Sequence, residues 1–227
     1  MTVYPGTELE LFATAVRWKH YWASRVKPYV TGDVLEVGAG IGGSFRMLQN
    51  ERVRRWQALE PDPALARQIP NESTTHPFTV SVGKIGDIDE VFDTILYVDV
   101  LEHIEEDATE LELAASRLST KGKLVVLSPA HQFLFSEFDA TIGHHRRYSR
   151  EELLTKAPPA LSAISCEFID SVGMLASVAN RYLLRSGEPG PAQIAFWDRV
   201  LIPCSRVLDP VLGRRIGKTI ICVWEKL

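Results

Sequence analysis

Cysteine is scarce in this chain of 227 residues. There are three, Cys166, Cys204 and Cys222, far apart and odd in number. No CxxC pair and no zinc-ligand spacing occurs, so neither a redox dithiol nor a zinc ribbon is indicated. Three reduced thiols in a cytoplasmic protein are expected. Long apolar runs are missing too. No stretch reaches the ~18 residues of a membrane-spanning helix, and the opening MTVYPGTELELF lacks the basic-then-apolar layout of a signal peptide. Positive charge is not in excess: 25 Lys and Arg stand against 29 Asp and Glu, a net charge of -4. That balance argues against nucleic acid as the partner. Repeats and low-complexity tracts are absent.

What remains is ordinary globular composition, 45% hydrophobic and 24% charged, enough for a sizeable core. The length suits one domain with an insertion. Residues Leu9 to Lys27 place Leu11, Phe12, Ala15, Trp18, Tyr21 and Trp22 at helical spacing, ended by Pro28. A short strand from Asp33 runs into glycines, and a helix is expected over Ser44 to Arg52. Further strands are expected at Trp56–Glu60, Phe78–Val82, Phe92–Val98 and Leu124–Ser128, then at Ser165–Asp170 and Thr219–Glu225. Helices are expected to start at Pro63, to cover Asp107–Leu118, and to open at the capping box Ser149-Arg-Glu-Glu. Strands alternating with helices imply a Rossmann-like α/β fold, a mostly parallel seven-stranded sheet with helices on both faces. The long segment Ser171 to Lys218 is read as a helical insertion before the last strand. It would wall the carboxyl edge of the sheet, where such folds bind ligands.

The first strand ends Glu36-Val-Gly38-Ala39-Gly40-Ile-Gly42-Gly43. Glycines let the backbone turn tightly and approach a ligand closely, and amides at a following helix start would face that ligand. The spacing departs from GxGxxG. Glu36 would repel a pyrophosphate if it faced the same ligand, but could steer an ammonium group or the loop amides. This tilts the reading from a dinucleotide to a cationic ligand. Glu60 closes the second strand about 20 residues on, where a carboxylate can accept ribose hydroxyls.

Asp33-Val-Leu-Glu-Val-Gly-Ala-Gly-Ile-Gly resembles motif I of the class I S-adenosylmethionine-dependent methyltransferases. Phe92-Asp-Thr-Ile-Leu-Tyr-Val-Asp-Val-Leu-Glu-His-Ile-Glu-Glu-Asp resembles the fourth strand and exit loop of that superfamily, with the "VLEH" frequent in its small-molecule members. Lys121-Gly-Lys-Leu-Val-Val-Leu-Ser-Pro-Ala-His resembles the fifth strand. The three motifs keep the family's order over about residues 30 to 132. Phe138-Asp-Ala-Thr-Ile-Gly-His-His-Arg-Arg-Tyr-Ser resembles a broad, largely uncharacterised bacterial subgroup. The resemblance implies a single methyltransferase domain over 1–227, with an N-terminal helical cap (1–30), a cofactor-binding core (31–170), a helical insertion or lid (171–218) and a final strand (219–227). It implies S-adenosyl-L-methionine as cofactor and S-adenosyl-L-homocysteine as product. Glu36, Gly38, Ala39, Gly40 and Gly42 would line the methionine portion. Glu60 would hold the ribose, with Pro61 beside the adenine. Lys84 and Ile85 align with the adenine-contacting turn, although many relatives have an aspartate where Lys84 stands; backbone contacts or Asp87 could replace it. Tyr97, Val98 and Asp99 would follow the sheet edge near the sulfonium.

Methyl transfer from a sulfonium needs mainly positioning of the acceptor, with a general base only where the acceptor must lose a proton. Histidine suits that task. His131 and His103 follow strands five and four; His144 and His145 sit beside Arg146 and Arg147. His131, His103, His144 and Tyr21 are the catalytic candidates, His103 also as a structural or substrate-wall residue. Asp139, His144, Arg147 and Tyr148 would form a recognition loop for an anionic small-molecule acceptor, unless Arg146 or Arg147 pairs with Glu151 or Glu152. His103, Glu105, Glu106 and Asp107 form a cluster, but the acids suit the first turn of a helix, and no metal is expected. In the insertion, Phe196-Trp-Asp-Arg-Val-Leu-Ile-Pro and later arginines suit peripheral contact with a membrane surface, while Pro203 and Pro210 favour short packed helices. An NAD-dependent oxidoreductase and a non-catalytic cofactor-binding module are the rival readings.

Overall fold

The computed structural model describes residues 12–70, 76–180 and 190–227. The start of the expected N-terminal helix, including Leu11, and residues 181–189 of the insertion lie outside the described residues. Seven strands, β1 (Gly32–Val37), β2 (Val53–Glu60), β3 (Phe78–Val82), β4 (Phe92–Val98), β5 (Leu118–Pro129), β6 (Leu161–Ile169) and β7 (Thr219–Lys226), form one sheet in the order β3-β2-β1-β4-β5-β7-β6. All neighbours are parallel except β7, which runs antiparallel to β5 and β6. The expected fold class holds. Its β3 and β4 bounds match the expectation, whereas β5 begins six residues before Leu124, at Leu118.

Each face of the sheet buries its own apolar set, because side chains alternate along a strand. Leu35 and Val37 of β1 join Tyr97, Val126 and Trp224 on one face. Helices α4 (Asp107–Ser116) and α6 (Arg150–Lys156) cover it through Leu111, Ala114 and Leu153. Val34 joins Trp56, Leu96 and Val125 on the other face, covered by Trp18, Trp22 and Val26 of α1 (Val16–Val26). The expected capping box opens α6: Glu152 N donates to Ser149 Oγ at 3.2 Å, and Ser149 N donates to Glu152 Oε2 at 2.8 Å.

The insertion is helical where described: α7 (Ser171–Ala179), α8 (Pro191–Phe196), a π-helical stretch Trp197–Leu201 and α9 (Ile202–Val211). Ile194, Trp197 and Ile202 join the α1-side core, so these helices pack on the sheet. Pro203 lies where the π-helical stretch passes into α9, and Pro210 falls in the last turn of α9 rather than ahead of it. Among the described residues no helix is long and apolar enough to cross a membrane.

One expectation fails. Cys166 and Cys222 form a disulfide, and Cys204 alone is a free thiol. The partners are 56 residues apart in sequence, yet antiparallel pairing of β6 with β7 sets them directly opposite, Cα to Cα 4.1 Å. Spacing along the chain carries no trace of that register.

Candidate functional site

A cavity of about 1460 Å³ opens at the carboxyl ends of β1, β2 and β4, where strand order reverses about β1. Its first wall is largely main chain. Gly38, Gly40 and Gly42 hold left-handed φ values of 67°, 55° and 80°, which a side chain disfavours. A Cβ on Gly38 would stand 2.6 Å from Val100 Cγ2. Gly38 N and Ala39 N donate to Leu59 O at 2.8 and 3.1 Å, which ties the loop to β2. The helix after the loop, α2, is only Phe45–Leu48, shorter than expected. Residues 40–44 are turns, so amides of the loop rather than of a long helix border the cavity.

Glu60 is buried on this wall. Its Oε2 accepts from Gly40 N at 2.8 Å and its Oε1 from Asp62 N at 2.9 Å; burial raises its carboxyl pKa. Pro61, Asp62, Gly83 and Lys84 continue the wall, as do Val98 and Asp99. Asp99 has φ 54° and opens into the cavity. The protein mass around it raises its carboxyl to about 6, against the pull of His144 and Lys218.

Four of the expected cofactor residues do not line the cavity: Gly42 packs against Ile69, and Glu36, Ile85 and Tyr97 lie behind the wall. Glu36 shares a face with Val34 and accepts from Trp56 Nε1 at 3.1 Å; burial raises it to about 7. Its side chain turns to the α1 side of the sheet, so it does not line the cavity. Ile85 is fully buried in the core. Tyr97 is fully buried too, its hydroxyl donating to Glu110 Oε1 at 2.9 Å. Asp87 accepts from Lys84 N at 2.8 Å and braces its own turn.

The four catalytic candidates divide. His103 and His144 are on the wall, rings 4.5 Å apart and edge to face. Burial lowers His103 to about 4, leaving it unprotonated near neutrality. His144 Nδ1 lies 2.9 Å from Asp139 Oδ1. Arg147 Nε and Nη2 donate to the same carboxylate, each at 2.9 Å. Despite burial, these partners hold Asp139 well below the usual carboxylate range. The expected cluster of Asp139, His144 and Arg147 therefore forms at the cavity, but Tyr148 leaves it: its hydroxyl donates to Asp107 Oδ2 at 2.8 Å inside the core. The arginines pair with Asp139 and Asp107, not with Glu151 or Glu152.

His131 is a correction. Left-handed at φ 67°, it stacks on Phe168 at 4.9 Å and borders a separate groove with Glu152 and Thr155. The backbone bend after β5 turns it away from the cavity. Tyr21 is another. Its hydroxyl donates to Asp209 Oδ2 at 2.6 Å and accepts from Arg214 Nη1 at 3.1 Å, beneath the insertion. Burial and the Asp209 bond push its pKa well up. Its neighbours Trp18, Lys19 and Trp22 are the α1 residues that reach the cavity.

Glu102 and Lys218 are among the wall residues that the sequence did not mark as site residues. Glu102 was visible as the neighbour of His103. Lys218 offered no signal at all; folding brings it 4.1 Å from the Trp197 ring centroid and 3.5 Å from Asp170 Oδ2.

No protein-family model matches the sequence, and no curated protein matches it. Solved structures do. A chain of the complex formed by the Haloferax volcanii Trm112 methyltransferase activator is 16% identical, with TM-score 0.65 over 97% of this chain and 92% of that one. The fold is one that solved methyltransferase structures share. Coclaurine N-methyltransferase bound to N-methylheliamine and S-adenosylhomocysteine is 13% identical, TM-score 0.61, over 93% and 72%. The [4+2]-cyclase SpnF is 16% identical, TM-score 0.61, over 91% and 80%. Identities this low establish the fold alone, and the cyclase shows that one fold serves more than one reaction.

Proposed function

We propose that the protein binds S-adenosylmethionine along the β1–β2–β4 edge and transfers its methyl group to a small molecule held against the insertion. The observation that carries this reading is convergence. The glycine-loop backbone, Glu60 and Asp99 meet at one end of a cavity larger than the ~300–1,000 Å³ usual for one ligand, which leaves room for cofactor and acceptor together. The donor set fits the cofactor: carboxylates at Glu60 and Asp99 suit a ribose and a cationic ligand. Bound there, the cofactor supplies an already activated methyl group.

The chain's own task is then to orient the acceptor and exclude water. Trp18, Trp22, Phe138, Ile142, Ile194 and Trp197 make much of the lining apolar, and Lys19 adds positive charge to it, whereas Arg147 and Lys218 are paired with Asp139 and Asp170. That lining supports an acceptor with an apolar body and an anionic group, including a lipid-like one. Val207 and Val211 stand exposed on α9, near Arg206 and Arg215, and suit peripheral membrane contact for such an acceptor. His103 and His144 are the histidines within reach of an acceptor's proton.

Calorimetric titration with S-adenosylhomocysteine, with NADH in parallel, tests the reading. Micromolar binding of the first alone supports it; binding of NADH, or of neither, refutes it. Glu60→Ala is expected to weaken S-adenosylhomocysteine binding by about 1–3 kcal/mol. Methylated product in an acceptor screen then separates an enzyme from a module that only binds.

A further inference from the structure

Glu102 lies at the cavity floor with no solvent exposure. Its Oε2 accepts from Ser128 Oγ at 2.9 Å, but its Oε1 has no hydrogen-bond partner among the described residues. A buried, unsatisfied carboxylate oxygen is costly. The atom it faces is His144 Nε2, 3.9 Å away, too far for a hydrogen bond. The other ring nitrogen, Nδ1, points at the Asp139 carboxylate, which can only accept and is itself clamped by Arg147. The proton of a neutral His144 therefore sits on Nδ1, and Nε2 turns a lone pair toward Glu102 Oε1. Two acceptors face each other across a gap that suits a cation bound to both, since ligands about 2.1 Å from one metal ion lie roughly 3–4 Å from each other. His103 completes the group: one ligand-type atom from each of Glu102, His103 and His144 falls within 4.8 Å of the others.

We propose that Glu102, His103 and His144 hold a divalent transition-metal ion at the floor of the cavity. Two imidazoles and one carboxylate bordering the cavity form a set suited to first-row transition ions, with positions left for an exogenous oxygen ligand. Asp139, braced by Arg147, orients His144 from behind, as outer carboxylates do for metal-bound histidines. Asp99, a further carboxylate, lines the same cavity. Two cationic side chains of the cavity wall are already paired: Arg147 is spent on Asp139, and Lys218 is drawn to Asp170. Metal binding itself stands apart from the methyl-transfer reading; only its use, holding a carboxylate- or hydroxyl-bearing acceptor, rests on it.

The test is titration of the tag-free, chelator-treated full chain with Co²⁺, read by its visible absorption, with Mg²⁺ and Ca²⁺ as hard-ion controls and S-adenosylhomocysteine binding measured on the same samples. One Co²⁺ per chain is expected with Kd below about 100 µM and a spectrum of mixed nitrogen and oxygen ligation. Glu102→Gln, which can keep the Ser128 bond, and His144→Gln should each weaken Co²⁺ binding by about tenfold or more, Asp139→Asn by a similar factor through His144. His145→Gln should leave it unchanged. Wild-type protein that takes up no Co²⁺, or Co²⁺ binding indifferent to both Glu102→Gln and His144→Gln, overturns the proposal. S-adenosylhomocysteine bound without Co²⁺ sinks the metal site alone, and Co²⁺ bound without S-adenosylhomocysteine sinks the cofactor reading alone.

Discussion

Along β1 and β2 the cavity wall is main chain. Gly38 and Ala39 hang from Leu59 O, and Gly40 from Glu60, so the wall's shape follows from backbone bonds within about 25 consecutive residues, 36–60. Across the cavity the wall is side chain, gathered from distant segments: α1, the residues after β5, and the insertion. There Asp209 accepts from Tyr21 Oη at 2.6 Å, from Asp170 N at 2.7 Å and from Ser171 N at 3.0 Å, and also from Ser171 Oγ. Asp170, left-handed at φ 65°, accepts from Ser205 Oγ and Trp197 Nε1, each at 2.7 Å. One wall is positioned by local hydrogen bonds of a short loop. The other depends on a buried polar knot, which is costly when any member is missing.

The difference can be broken at the knot first. Asp209→Ala strands several buried donors at once and should cost about 3 kcal/mol or more of stability, read as a lower urea midpoint. A loss below about 1 kcal/mol would mean that the insertion is held by apolar packing alone.

On the main-chain wall, Gly38→Ala meets both an unfavourable φ, about 1–2 kcal/mol for an L-residue, and the Val100 side chain. Affinity for S-adenosylhomocysteine should fall about a hundredfold, more than the strain of about 1–2 kcal/mol that lowers the urea midpoint, the reverse of Asp209→Ala. Equal effects on affinity and stability would erase the distinction between the walls.

Titration sharpens it further. Burial raises Glu36 from 4.5 to about 7, so between those values the folded chain binds more proton than the unfolded one, and stability falls as pH rises. His103 is lowered from 6.5 to about 4. There the unfolded chain binds the proton first, and stability rises with pH over roughly the same window. The two trends oppose each other in the wild type and show only in variants. Glu36→Gln should gain on the wild type as pH rises from about 4.5 to 7, by up to about 3 kcal/mol. A flat difference across that range would remove the buried carboxylate from the account.

The smallest effects are expected at the two displaced candidates. His131→Ala and Tyr21→Phe should leave methyl transfer within about twofold of wild type, because neither side chain reaches the cavity, while each costs about 1 kcal/mol of stability through lost stacking or a lost hydrogen bond. A hundredfold loss of turnover in either would return it to the site.

The fold and the glycine edge of the cavity were legible because their causes are local. Strand periodicity, the glycines at 38, 40 and 42, and the acid closing β2 each act over a few residues, and the connection rules of α/β sheets assemble them in one way. The same locality explains the partial failures there. Alternation puts Glu36 and Val37 on opposite faces, so a motif residue adjacent to the cavity in sequence lies behind it in space.

Past β5 the sequence alone determined the element types and little of their meeting points. It marked four histidines near strand ends but could not say that a bend would turn His131 onto Phe168 while a loop brought His144 to His103. It spaced Cys166 and Cys222 without their register, and named Glu102 only as part of a motif. Those outcomes depend on long-range packing. Side-chain contacts between residues far apart in the chain leave no periodic imprint, and only the tertiary structure, by choosing which faces meet, decided which of these residues reach the cavity.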